Sequence, residues 1–231
     1  MPFCTLCEKD EPVYTRYSKR PFAGCPNCKS LERHRVMAVY LKKQMLTSKK
    51  ILHIAPEKCL YTYLSNLTNE YVCGDLYPEK YKTMNAIYLD ATNMPYVCQF
   101  DYIIASHILE HIPDDNLTLT HIYKSLVNGG KCLVMIPQRL NKDITDEDPT
   151  VISDEERIIR FGQADHVRYY GLDFSKRLKK AGFHVKIHYI GGIEDIVNKM
   201  DFDEKEEILK NEYINKSNLL HQDILYECIK L

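Results

Sequence analysis

Beyond residue 50 the chain alternates short apolar runs with stretches whose apolar positions recur every three or four residues. The runs Ile51–Ala55, Tyr71–Gly74, Ala86–Leu89, Phe100–Ala105, Lys131–Ile136, His184–Ile190 and, near the end, Ile224–Ile229 read as strands. Cys59–Leu67, Leu117–Val127 and Asp173–Ala181 read as helices, with a shorter one after Ala105. Asn128-Gly129-Gly130 and Gly182 supply left-handed stops for the last two. Upstream, Ser30 is placed to cap a further helix with Glu32 in its first turn. Leu31, Val36, Val39, Tyr40 and Leu46 form its apolar stripe, and Arg33, His34, Arg35, Lys42 and Lys43 its polar face. Strands alternating with helices predict an α/β protein built on a doubly wound, mostly parallel sheet. Periodicity leaves open whether the last strand inserts antiparallel.

The first thirty residues follow a different logic. Cys4-Thr5-Leu6-Cys7 and Cys25-Pro26-Asn27-Cys28 are two CxxC pairs separated by seventeen residues. Each tight turn places two thiolates on one side, and two such turns complete a tetrahedral site for structural zinc with no open position. With a strand over Val13–Tyr17, residues 1–30 read as a zinc ribbon too small to fold without its metal. Residues 31–231 form the main domain, with 31–50 as a linking basic helix and 141–171 as a lid-like insertion. The nine cysteines are an odd number, and Met1–Tyr14 lacks the apolar stretch of a secretion signal, so a disulfide framework is not expected. Cys59, Cys73, Cys98, Cys132 and Cys228 read as small buried hydrophobes. No apolar run approaches the length of a membrane span, and the expected location is the cytoplasm.

Charge adds one asymmetry. Residues 1–50 carry 11 Lys/Arg against 4 Asp/Glu, a balance of +7 on a chain whose net charge is −1. A basic first fifth on an acidic body suits an anionic partner, RNA among them, or is a solvated helix face. The nine glycines spell neither GxGxxG nor a P-loop, so a nucleotide-like ligand would have to be held without a glycine fingerprint. Acidic residues nevertheless end three successive strands: Glu57, Asp75 and Asp90. In a doubly wound sheet those ends face the ligand crevice. Asp75 is placed to accept ribose hydroxyls, and Asp90, beside small Ala91, suits the amino edge of an adenine.

Several stretches then carry a resemblance. Leu52-His53-Ile54-Ala55-Pro56-Glu57, Leu89-Asp90-Ala91-Thr92-Asn93-Met94-Pro95-Tyr96, Phe100 through Asp114, Leu126-Val127-Asn128-Gly129-Gly130-Lys131 and Phe161 through Gly171 resemble class I S-adenosylmethionine-dependent methyltransferases with a Rossmann-like sheet. With Cys25 through Arg35, they resemble more narrowly a prokaryotic group with a cysteine-rich N-terminus. The resemblance spans about residues 20–190. It implies S-adenosylmethionine as cofactor, held by Ala55, Pro56, Glu57, Asp75, Leu76, Asp90, Ala91, Ser106 and His107. Where most of the class has a glycine-rich first loop, this chain has Ala55-Pro56-Glu57-Lys58. Pro56 suits the first turn of the following helix, and Glu57 suits the cofactor's amino group or sulfonium region. His107 and His111, with Glu110 between them, do not match the HExxH zinc pattern and read as structural or cofactor-lining.

Arg160–Gly171 follows an acidic loop, Asp143–Glu156, of a length typical of lids. Asp165-His166 is a candidate base and Arg168 a candidate anion clamp, with Arg33 and Arg35 completing a compact cationic pocket. The expected activity is methyl transfer to an O or N atom of a small or glycan-like, anionic acceptor. An RNA methyltransferase and a non-catalytic zinc-containing scaffold are the alternatives.

Overall fold

A computed structural model describes residues 1–68, 70–209 and 224–231. Two small hairpins open the chain, β1 (Phe3–Cys4) with β2 (Lys9–Asp10), and β3 (Thr15–Tyr17) with β4 (Arg20–Gly24). Then follow α1 (Glu32–Lys42), β5 (Ile51–Ile54), α2 (Lys58–Leu64), β6 (Tyr71–Asp75), β7 (Ile87–Tyr88) and β8 (Phe100–Ser106). A 3-10 turn over Leu109–His111 leads into α3 (Asp115–Ser125) and β9 (Leu126–Met135). The second half holds β10 (Asp146–Glu147), α4 (Asp154–Phe161), β11 (Arg168–Tyr169), α5 (Phe174–Lys180), β12 (His184–Ile190), α6 (Glu194–Val197), β13 (Glu204–Leu209) and β14 (Leu225–Ile229).

The central sheet has eight strands in the order β13-β12-β14-β9-β8-β5-β6-β7. Neighbours run parallel except β14, which lies antiparallel between β12 and β9. The antiparallel insertion left open by periodicity is thus present, and the expected doubly wound architecture holds. Strand order reverses between β5 and β8, which opens a crevice at their carboxyl ends. Successive residues of the central strands feed opposite faces. Ile103, Ala105, Cys132 and Val134 join one core layer, and Tyr102, Ile104, Leu133 and Met135 the other. The second layer continues through α1 into Cys4, Leu6, Tyr14 and Cys25, so the cysteine-bearing segment packs directly on the main domain.

Four local expectations change, the last at Cys98. Ser30 does not cap α1: its hydroxyl faces the Cys28 and Cys4 sulfurs at 3.1 and 3.4 Å, and Leu31 stands at the cap position. The Leu31 N–H donates instead to His34 Nδ1 at 3.0 Å. Asn128-Gly129-Gly130 is not a helix stop, because α3 already ends at Ser125. The two glycines form an irregularity within β9, where Gly129 has φ +75° and its N–H donates to Lys230 O at 2.7 Å. A Cβ on Gly130 would meet the Val127 carbonyl oxygen at 2.8 Å. Pro56 lies before the cap residue Glu57 rather than in the first turn of α2. Of the single cysteines, Cys73, Cys132 and Cys228 are buried, Cys59 is half-buried, and Cys98 is exposed.

Candidate functional site

A cavity of about 630 Å³ occupies the crevice at the strand ends. Of the residues expected to hold a cofactor, Ala55, Asp75, Leu76, Asp90, Ala91 and His107 line it, together with Tyr77, Tyr81, Thr92, His111 and Asp165. Gly74 brings its two acidic side chains together. Without a Cβ it lets Leu89 close on β6, where any Cβ would meet Leu89 at 2.6 Å. The Leu89 N–H donates to Asp75 O at 2.9 Å, setting Asp90 beside the end of β6. Each carboxylate is steadied on one oxygen: Asp75 Oδ1 accepts from the Tyr77 N–H, and Asp90 Oδ1 from the Thr92 N–H and hydroxyl. The cavity wall is also apolar at this point, since Leu76 and Tyr77 are about half exposed over it. Burial, and then the nearby Asp75 charge, push the Tyr81 phenol up to about 12.

The two strand ends at the point of reversal are held in an unusual backbone state. Ala55 follows β5 with φ +49°, and His107 follows β8 with φ +53°. Side chains other than glycine rarely adopt this region, and strain of this kind gathers at ligand clamps. Ala55 therefore keeps the turn that a glycine would give at no steric penalty.

Glu57 and Ser106 are not among the residues lining that cavity, nor is the buried Pro56. Glu57 Oε2 accepts from His53 Nε2 at 2.9 Å, while His53 Nδ1 pairs with the Tyr71 hydroxyl at 2.6 Å. His34 Nε2 and Arg33 Nε approach Glu57 Oε1 at 3.3 and 3.8 Å, too poorly aligned for good hydrogen bonds. Burial would raise the Glu57 pKa, but attraction to His34 and His53 outweighs it and holds the carboxyl well below the usual range. Arg33 Nε, His34 Nε2, Glu57 Oε1 and Ser106 Oγ are thus buried polar atoms without a hydrogen-bond partner among the described residues.

On the lid side the structure corrects the sequence reading. Arg168 is buried, and its guanidinium is occupied: it donates to Leu109 O, Ile112 O, Pro113 O and Glu147 Oε2 at 2.5–2.9 Å. Its donors are thus engaged within the chain rather than turned to the cavity. Arg35 is likewise buried, donating to Ala23 O and Ser30 O and stacking on Tyr14 at 4.4 Å. The expected cationic pocket of Arg33, Arg35 and Arg168 therefore does not form. The acidic Asp143–Glu156 loop is braced by short elements. β10 pairs with β11, Asp146 and Asp148 hold Arg160, and Glu147 holds Arg168 and Arg177. Asp165 reaches the cavity rim and stands 3.2 Å from His111 Nδ1. His166 is buried behind it, with Nδ1 against Phe161 O at 3.0 Å and Nε2 unpartnered. Desolvation lowers the His166 pKa.

The four N-terminal cysteines converge as their spacing predicts. Their sulfurs lie within 4.8 Å of one another, with Cys4–Cys28 at 3.7 Å and Cys7–Cys25 at 3.8 Å. A tetrahedron with metal–sulfur bonds of about 2.3 Å has edges of about 3.8 Å, so the set fits zinc. Burial pushes the Cys25 thiol up to about 11, a penalty that a dication would reverse.

No protein-family profile matches the chain, and no curated protein matches it. Solved structures do. A SAM-dependent methyltransferase from Archaeoglobus fulgidus is 16% identical with a TM-score of 0.55, covering 86% of this chain and 94% of its own. The YcgJ protein of Bacillus subtilis is 15% identical at TM-score 0.53, covering 85% and 98%. Phosphoethanolamine N-methyltransferase 2 of Haemonchus contortus, solved with phosphomonomethylethanolamine and S-adenosylhomocysteine, is 17% identical at TM-score 0.52, covering 85% and 53%. These likenesses establish the Rossmann-like methyltransferase fold. Among the described residues no helix is long and apolar enough to cross a membrane.

Proposed function

We propose that the protein transfers a methyl group from S-adenosylmethionine to an O or N atom of a small acceptor, with zinc held by Cys4, Cys7, Cys25 and Cys28 as a structural element. The observation that carries the reading is the acid-lined cavity at the strand reversal, entered by two turns of positive φ. Asp75 and Asp90 each keep an oxygen free of the internal turn bonds, which suits ribose hydroxyls and an adenine amino group. Leu76 and Tyr77 offer apolar cover for a purine. The cofactor supplies the electrophilic methyl group; the chain supplies orientation and exclusion of water.

The acceptor's anionic character loses its support, because Arg35 and Arg168 are bound to backbone carbonyls. Asp165, with His107 and His111 on the same cavity wall, is among the groups that could receive an acceptor proton. The RNA alternative is also weakened. Lys42, Lys43 and Lys49 pair with Glu8, Glu206 and Asp101, and Arg20 pairs with Glu32, so these four cations are partly neutralised within the chain. Calorimetry with S-adenosylhomocysteine on zinc-replete protein tests the reading: saturable binding at one site per chain is expected. No heat with either S-adenosylhomocysteine or S-adenosylmethionine returns the chain to the scaffold alternative.

A further inference from the structure

Beside the cavity lies a second group of ligand-type side chains that methyl transfer does not require. Glu110, on the 3-10 turn after β8, is 1% exposed, and its Oε2 has no hydrogen-bond partner among the described residues. His166, on the segment before β11, is 3% exposed, with Nε2 unpartnered among the described residues. His111 completes the set, and the three side chains can each offer one ligand atom within 4.8 Å of the others. Two buried polar atoms left unsatisfied in one place are costly unless something binds them.

The imidazoles are oriented as metal ligands are. His166 Nδ1 donates to Phe161 O at 3.0 Å, which leaves the Nε2 lone pair free. His111 Nδ1 stands 3.2 Å from the Asp165 carboxylate, which leaves its Nε2 on the Glu110 side, 3.9 Å from Oε1. A carbonyl or carboxylate on the far nitrogen fixes the tautomer and the ring plane of a ligating histidine. The cradle is also rigid. Val167 N–H donates to Glu110 O at 2.9 Å, and Arg168 joins Leu109, Ile112 and Pro113 through their carbonyl oxygens. Arg168 thus braces the turn carrying Glu110 and His111 against the segment carrying His166.

We propose that Glu110, His111 and His166 form a binding site for one divalent first-row transition metal ion, with its open positions toward the cavity that His111 and Asp165 line. Two imidazoles and one carboxylate favour iron, cobalt, nickel or zinc over magnesium or calcium, which prefer all-oxygen shells. The site is separate from the four-cysteine cluster and does not rest on the methyl-transfer reading.

The test titrates Co²⁺ into full-length protein carrying one zinc per chain, following heat and visible absorption. One equivalent should bind with weak d–d bands and without the intense near-ultraviolet band of cobalt–thiolate bonding. His166→Asn keeps a donor for Phe161 O but loses Nε2, and should weaken uptake about tenfold or more, as should Glu110→Gln. Because Glu110 and His166 are buried, His111→Asn at a partly exposed position provides a variant whose folding is not at stake, and the same loss is expected there. Thermal unfolding and retained ribbon zinc are read alongside. No cobalt uptake beyond exchange at the cysteines, or undiminished uptake in folded His111→Asn protein, would overturn the proposal.

Discussion

Asp75 and Asp90 on one wall of the crevice, and His166 and Arg168 on the other, were all singled out by residue type and position, yet the structure uses them differently. The two aspartates line the cavity, each held by a short local turn bond that leaves acceptor capacity facing outward. Arg168 faces inward, with carbonyl oxygens from a distant turn filling its fork, and His166 lies buried against Glu110 and His111. A charged side chain at a strand end is offered to a ligand because nothing else reaches it. One on a segment folded back over the sheet meets backbone first.

That contrast is broken most severely at Arg168. Arg168→Ala would leave three carbonyls without their donor and Asp115 and Glu147 with Arg177 as their remaining cation, so unfolding stability should fall by about 3–5 kcal/mol, roughly 1–2 for each carbonyl left unpaired. Arg168→Lys should recover little, since an ammonium cannot reproduce the planar fork. Denaturant titration measures both. A variant of wild-type stability that has lost only turnover would restore the anion-clamp reading.

Glu57 sits between the two cases, at a strand end but turned toward His53 and His34. Its folded pKa is depressed, so its contribution to stability is fully present above the unfolded value of about 4.3. The contribution is lost as pH falls through the lower folded value. Glu57→Gln should therefore reduce stability at neutral pH by about 1.5–3 kcal/mol, the range for hydrogen bonds to a charged group. The gap from wild type should narrow as pH drops below about 4. Denaturant curves from pH 7 down to 3 would show this, and a gap independent of pH would mean that the carboxylate's charge is not what matters.

Asp90 sharpens the contrast from the other wall. Asp90→Ala removes one acceptor from the cavity and no long-range contact, so S-adenosylhomocysteine affinity should drop by about 1–3 kcal/mol. Stability should change by about 0.5 kcal/mol or less, as for substitutions remote from the core. Calorimetry and thermal unfolding on the same samples separate the two. Unchanged affinity would remove Asp90 from the cofactor site.

What could be read in advance follows the same division. Strand identity, the order of apolar runs and the acidic strand ends are local properties, and the spacing of Cys4, Cys7, Cys25 and Cys28 is itself a geometric statement. The burial of Arg35 and Arg168 is not local, since their acceptors are carbonyls of Ala23 and of the Leu109–Pro113 turn, which carry no side-chain signature. Gly129-Gly130 gave a signal common to helix stops and strand irregularities. The contact that decides is with Lys230 on the far side of the sequence. β10, β11 and β13 went unread because the first two span two residues each, and because Glu204–Leu209 is too charged to look like a strand. The partnership of His166 with Glu110 and His111 was likewise out of reach, because their separation in sequence hides their proximity.

The smallest effect is expected at Ala55, where the backbone rather than a side chain carries the function. With φ at +49°, Ala55 sits in a region that costs an L residue about 1–2 kcal/mol, and Ala55→Gly relieves that strain. The glycine also gives the unfolded chain more freedom, which offsets roughly 0.4–1 kcal/mol of the gain. The net change in stability should therefore be within about 1 kcal/mol, and cofactor affinity should be largely retained, because the turn is unchanged and only one methyl leaves the cavity wall. Ala55→Val tests the opposite direction: a β-branched side chain is poorly tolerated at positive φ and would project at the cavity wall, lowering both stability and affinity. Equal affinities for the glycine and valine variants would show that the positive-φ turn after β5 is not what shapes the cavity.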